Sequence, residues 1–96
     1  MILWVLYDIE NDRARNRVAK FCKQAGLHRV QYSCFLGVLD ATELDVLQLQ
    51  INAEINAHSD KAYLFPMERS SLKATVLLGQ AFDKKLVTDQ VKALFF

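Results

Sequence analysis

Asp8 ends an apolar run, Ile2-Leu3-Trp4-Val5-Leu6-Tyr7, and the chain then turns basic. From Arg13 to Arg29 there are six basic residues (Arg13, Arg15, Arg17, Lys20, Lys23, Arg29) and no acid. A carboxylate at the end of a buried strand is costly without a partner. That cost makes Asp8 a candidate metal ligand or proton acceptor. The alternative is that it only starts the turn or caps the following helix. Glu10 and Asp12 read as turn and capping residues. His28 precedes a strand without a paired acid, and Ser33 has no nucleophile arrangement around it. The basic stretch suits phosphate, and binding through it should weaken steeply with salt. Arg13, Arg15 and Arg17 cannot share one helix face, so at most two meet the same phosphate. One of them can instead bridge to a nearby acid.

Several elements must hold these groups in place. The first run, continuous and rich in β-branched and aromatic residues, reads as a strand buried on both faces. A helix follows from about Asp12 to Ala25, capped by Asn11 or Asp12. Its buried stripe is Ala14, Val18, Phe21, Cys22 and Ala25, and Gly26 ends it in a left-handed conformation. Arg29 to Val38 alternates with period two, as a strand does. Val30, Tyr32, Cys34, Leu36 and Val38 share one face. Arg29, Gln31, Ser33, Phe35 and Gly37 share the other. Phe35 is then an aromatic among hydrogen-bonding groups, either a nucleic-acid or partner contact or a cross-strand aromatic in a dimer contact.

A second helix is predicted from about Thr42 to Ala57. Asp40 with Glu43, or Thr42 with Asp45, supplies a capping box. Leu44, Leu47, Ile51 and Ile55 make its buried stripe, and Glu43, Gln50 and Glu54 a solvated face. Lys61 to Met67 reads as a strand, with Pro66 near its end. Residues 68–73 read as a polar connection, and Ala74 to Leu78 as a further strand ended by Gly79. In the tail, Leu86-Val87-Thr88 reads as a possible short strand, and Val91 to Phe96 as strand or helical turn.

The order strand, helix, strand, helix, strand, strand implies an α+β sandwich with two helices against a largely antiparallel sheet. A ferredoxin-like order requires Arg29 to Val38 to bend into two strands, near Ser33 or Gly37. With 96 residues one domain is expected. Yet 52% of them are hydrophobic, more than a small core hides, so a homodimer is expected. The Leu94-Phe95-Phe96 end needs cover. A domain over 1–79 is therefore expected, with an extension over 80–96 docking on the partner protomer. The N-terminal run lacks a basic flank and is too short for a membrane span, so an intracellular, cytoplasmic protein is expected. Cys22 and Cys34 lack metal-ligand spacing and read as small buried residues. The formal net charge of +1 hides a second asymmetry: five acids and no Lys or Arg between Asp40 and Asp60.

These residues resemble the CRISPR-associated protein 2 family. The resemblance rests on Tyr7-Asp8-Ile9 after the first strand and on Arg13-Ala-Arg15-Asn-Arg17-Val18-Ala19-Lys20. It continues through Gly26-Leu27-His28-Arg29-Val30-Gln31-Tyr32-Ser33-Cys34-Phe35-Leu36-Gly37 and Tyr63-Leu64-Phe65-Pro66-Met67, and covers residues 1 to about 79. It implies a ferredoxin-like fold, a symmetric dimer of a prokaryotic protein, and a role in spacer acquisition as partner of the CRISPR integrase subunit. Some members are magnesium-dependent endonucleases acting on single-stranded RNA or duplex DNA. Their metal-binding acid corresponds to Asp8, and supporting positions to Tyr7, Arg15, Arg17, Arg29 and Phe35. Magnesium usually keeps several waters and takes one or two carboxylates. One Asp8 per chain falls short of that, whereas two across a dimer axis suffice. The alternative within the same family is a non-catalytic adaptor that clamps duplex DNA between integrase subunits.

Overall fold

The computed structural model describes residues 1–82. β1 (Ile2–Asp8) leads to α1 (Asp12–Gln24), β2 (His28–Gln31), β3 (Cys34–Val38), α2 (Ala41–Glu54), β4 (Lys61–Met67) and α3 (Arg69–Ala74). The strands form one antiparallel sheet in the order β2-β3-β1-β4. This is the ferredoxin-like arrangement. The first strand is central, as its unbroken apolar run requires, and it ends at Asp8.

Residue parity on β1 sorts the two faces. Leu3, Val5, Tyr7 and, beyond the strand, Ile9 point into a core built with Val18 and Cys22 of α1 and Leu47 and Ile51 of α2. Ile2 points the other way and packs with Leu36 and Leu72, with Trp4, Met67 and Phe82 against them. The expected stripes of both helices are therefore the ones buried. Asn11 caps α1 by accepting from the Ala14 N–H at 2.9 Å. Asp40 and Glu43 close a reciprocal capping box on α2. Gly26, at φ +89°, ends α1, and the Leu27 N–H folds back to the Cys22 carbonyl at 3.0 Å. Pro66 is tolerated because β4 is an edge strand.

Three expectations change. First, the stretch from Arg29 to Val38 is two strands. They are joined at Tyr32-Ser33, where Ser33 takes φ +62°, with a register shift between Arg29 and Gln31. The bend lies at the first of the two expected places. Second, residues 69–74 form α3, whose Leu72 is buried on the sheet face opposite α1 and α2. The expected strand over 74–78 is absent: Ala74 closes α3, residues 75–78 are irregular, and Val76 and Leu78 stand 79% and 84% exposed. Third, the outer side of α2 is not purely polar, because Val46 and Leu49 are exposed there. The readings of Leu86-Val87-Thr88, of Val91 to Phe96 and of most of the 80–96 extension lie outside the described residues. At Phe82 the chain meets the sheet again, where that ring lies edge-on to Trp4 with centroids 5.8 Å apart.

Candidate active site

Asp8 is the last residue of β1, exposed, and opposite Lys61 in the β1–β4 register. Among the described residues its carboxylate makes no hydrogen bond or ion pair. It lines a cavity of about 270 Å³ with Lys61, Tyr63, Tyr32 and Ser33. A second, smaller and polar pocket of about 70 Å³ shares Tyr7, Tyr32 and Ser33 as walls and adds Arg15, Asn16 and Arg29. Asp8 and the arginines thus stand on two sides of the β2–β3 turn. The Tyr7 N–H donates to the Ser33 carbonyl at 3.1 Å and ties that turn to the end of β1.

The basic pocket is held rigid from within. The Arg15 guanidinium donates to the Ile9 carbonyl at 3.1 Å and pairs with Asp12. The Asp12 carboxylate holds Arg15 more firmly protonated than an isolated arginine. The Arg29 guanidinium lies over the Phe35 ring, 5.2 Å from its centroid. Phe35 stacks on Tyr7 with centroids 6.3 Å apart. Tyr7 is only 6% exposed, and its hydroxyl has no hydrogen-bond partner. Burial pushes the Tyr7 phenol up, while nearby Arg29 and Ser33 pull the other way without being aligned to bond with it. The phenol stays neutral, a donor awaiting an acceptor.

Two expected contact residues are placed elsewhere. Arg17 lies two positions from Arg15, so it projects from a different side of α1. Its Nε donates to Glu54 of α2 at 2.7 Å, which fastens the two helices together. Phe35 is 0% exposed, and its face is the helix-covered one. It cannot offer its ring to a base. Its role in the site is to support Arg29 and Tyr7 from below. The two cysteines are inert: both are buried, which pushes the Cys22 thiol up to about 12 and also raises that of Cys34.

No group of three or more His, Cys, Asp or Glu side chains among the described residues could hold a metal. Asp8 alone is a fit for a hard cation in charge and exposure, and half a fit in number.

The family model described as CRISPR associated protein Cas2 matches residues 1–75. This chain belongs to the Cas2 family. A Chloroflexus aurantiacus protein named CRISPR-associated endoribonuclease Cas2 2 is 39% identical over 79 residues, 82% of this chain and 93% of the relative. An Archaeoglobus fulgidus protein named CRISPR-associated endoribonuclease Cas2 1 is 37% identical over 78 residues, 80% and 83% of the two chains. The solved hypothetical protein TT1823 of Thermus thermophilus superposes with a TM-score of 0.72 at 28% identity, covering 83% of this chain and 92% of that one. Streptococcus pyogenes Cas2, at 23% identity, shares the fold with a TM-score of 0.72, covering 82% and 100%.

The sequence reading named Asp8, Tyr7, Arg15, Arg17, Arg29 and Phe35 as site residues and passed over Tyr32 and Lys61. Both line the Asp8 cavity. Period-two reading put Tyr32 on an apolar strand face, whereas the turn lifts it out to 76% exposure. The signal for it was the neighbouring Ser33, the first of the two places where the strand was expected to bend.

Proposed function

We propose that this Cas2-family chain is a metal-dependent endonuclease of CRISPR spacer acquisition that cleaves phosphodiester bonds in single-stranded RNA or duplex DNA. The observation that carries the reading is the shared wall. The unpaired Asp8 carboxylate and the Arg15–Arg29–Tyr7 pocket meet at one turn, so a strand held by its phosphate in one reaches the other. The naming of relatives as endoribonucleases supports it and favours RNA.

Asp8 from each of two protomers would hold Mg2+, with water completing the shell. A bound Mg2+ would supply Lewis-acid polarisation of a phosphoryl oxygen. The protein's own groups do the rest. Arg15 and Arg29 hold the phosphate and stabilise negative charge, already oriented before the substrate arrives. The Tyr7 hydroxyl donates a hydrogen bond to a phosphate oxygen and so satisfies its own buried donor.

The homodimer is supported by the apolar side chains on the sheet face that α1 and α2 leave uncovered: Leu6 is 37%, Phe65 40% and Tyr63 60% exposed. A patch of this kind marks an interaction site. Phe82 packs on Trp4 of its own chain, and the rest of the 80–96 extension would dock on the partner protomer. A second reading, an adaptor that binds duplex DNA and the CRISPR integrase subunit without cutting, is favoured by the single carboxylate each chain offers.

Labelled single-stranded RNA and duplex DNA, incubated with wild-type and Asp8→Ala protein in Mg2+ or chelator, separate the two. Cleavage that needs both Mg2+ and Asp8 is the expected result. Binding without cleavage, equal in both proteins, would leave the adaptor standing.

A further inference from the structure

The geometry points to Tyr32 as a base-stacking residue: its ring receives an unpaired nucleobase beside the phosphate pocket and makes the site favour single strands over duplexes. The inference rests on the nucleic-acid reading above and adds the residue that tells its single-stranded substrate from its duplex one. Three observations lead to it. Tyr32 stands 76% exposed at the tip of the β2–β3 turn, held there by the left-handed Ser33. It walls both the Arg15–Arg29 pocket and the Asp8 cavity. In the same pocket the Tyr7 hydroxyl is buried and has no partner, which is the mark of a place that expects a polar ligand.

The neighbouring aromatics do not compete for this role. Phe35 is fully buried, and Tyr7 is 6% exposed. A base can stack on a ring only when it is unpaired and splayed out, which RNA single strands permit and duplexes do not. A phosphate on Arg15 and Arg29 leaves its attached nucleoside next to the exposed Tyr32 ring.

The test is equilibrium binding of a fluorescein-labelled oligouridylate and of an RNA duplex of equal length, in chelator so that nothing is cut. Wild type, Tyr32→Ala and Tyr32→Phe are compared over a salt series, with dimer mass recorded for each. Tyr32→Ala is expected to lose about 10-fold in affinity for the single strand, within the usual range for one stacked base. Its duplex binding and its salt slope stay at the wild-type values, because no phosphate contact is removed. Tyr32→Phe keeps single-strand affinity. An unchanged Tyr32→Ala affinity, an equal loss on both RNAs, a Phe variant as weak as Ala, or a variant that dissociates into monomers would each overturn the inference. Wild-type protein that binds neither RNA would remove the RNA arm of that reading, and this inference with it.

Discussion

Phe35 is the residue for which burial and surface contact predict opposite behaviour. Its ring is 0% exposed, stacks on Tyr7 and lies beneath Arg29. Replacing it with Leu keeps an apolar side chain but removes both ring contacts. The ring–ring contact contributes about 0.5–1.5 kcal/mol, and the cation–π contact about 0.5–1 kcal/mol. The volume lost from a closed core adds about 1 kcal/mol. Together these amount to about 2–3.5 kcal/mol, against a total stability of roughly 5–14 kcal/mol for a domain of this size. The Leu variant therefore folds, with Tm lowered on the order of 10–20 °C. Phe35→Ala loses more and comes close to unfolding. Urea titrations followed by circular dichroism give the difference, at one fixed protein concentration because a dimer's stability depends on it. Nucleic-acid binding by the Leu variant, measured well below its midpoint, falls only as far as a looser Arg29 allows. An unchanged urea midpoint with abolished binding would refute the reasoning, since only a surface residue behaves that way.

Three further outcomes are expected. Arg29→Ala should lower the salt slope of nucleic-acid binding by about one, while Arg17→Ala leaves the slope alone. The Arg17 variant should cost at most about 1 kcal/mol of stability, as its pair with Glu54 is partly solvated; a salt slope that changes equally in both would show that Arg17 reaches phosphate after all. Gly37→Ala should destabilise by about 1–3 kcal/mol, because a Cβ there would lie 2.8 Å from Leu27 Cδ2 and 3.1 Å from Leu27 Cα; a wild-type melting temperature would contradict that close approach. Asp60 accepts from the Glu10 N–H at 3.0 Å and the Asn56 N–H at 2.8 Å, and these bonds hold its carboxyl below the usual range. A carboxyl lowered on folding stabilises the native state above its unfolded pKa of about 3.9 and loses that contribution as pH falls through the folded value. The melting temperature gap between wild type and Asp60→Ala should therefore be present at pH 7 and narrow in acid below about pH 4; a gap that stays constant into acid would rule out the carboxylate as its source.

The Cas2 fold was readable along the chain because its elements carry local signals. The unbroken run of β1, the stripes on α1 and α2, the Asn11 and Asp40 caps and Gly26 each act within a few residues, and the sequence alone determines them. Even the parity of β2 and β3 was right: Val30, Leu36 and Val38 share one cluster, while Phe35 belongs to the other. Which of those faces the helices would cover was not determined, because both faces of this sheet bury apolar residues and parity is blind to the layer above. The tertiary structure made that choice. It buried Phe35, turned Tyr32 outward, sent Arg17 to Glu54 on another helix, and coiled residues 69–74 into α3 so that Leu72 could cover Ile2 and Leu36. Each of these depends on partners roughly thirty or more residues away or on a single left-handed residue, and neither composition nor periodicity records such distances. The chemistry follows the same division: Asp8 stands out from its position at the end of a buried strand, but the pocket beside it exists only once a turn, a helix and two strands meet.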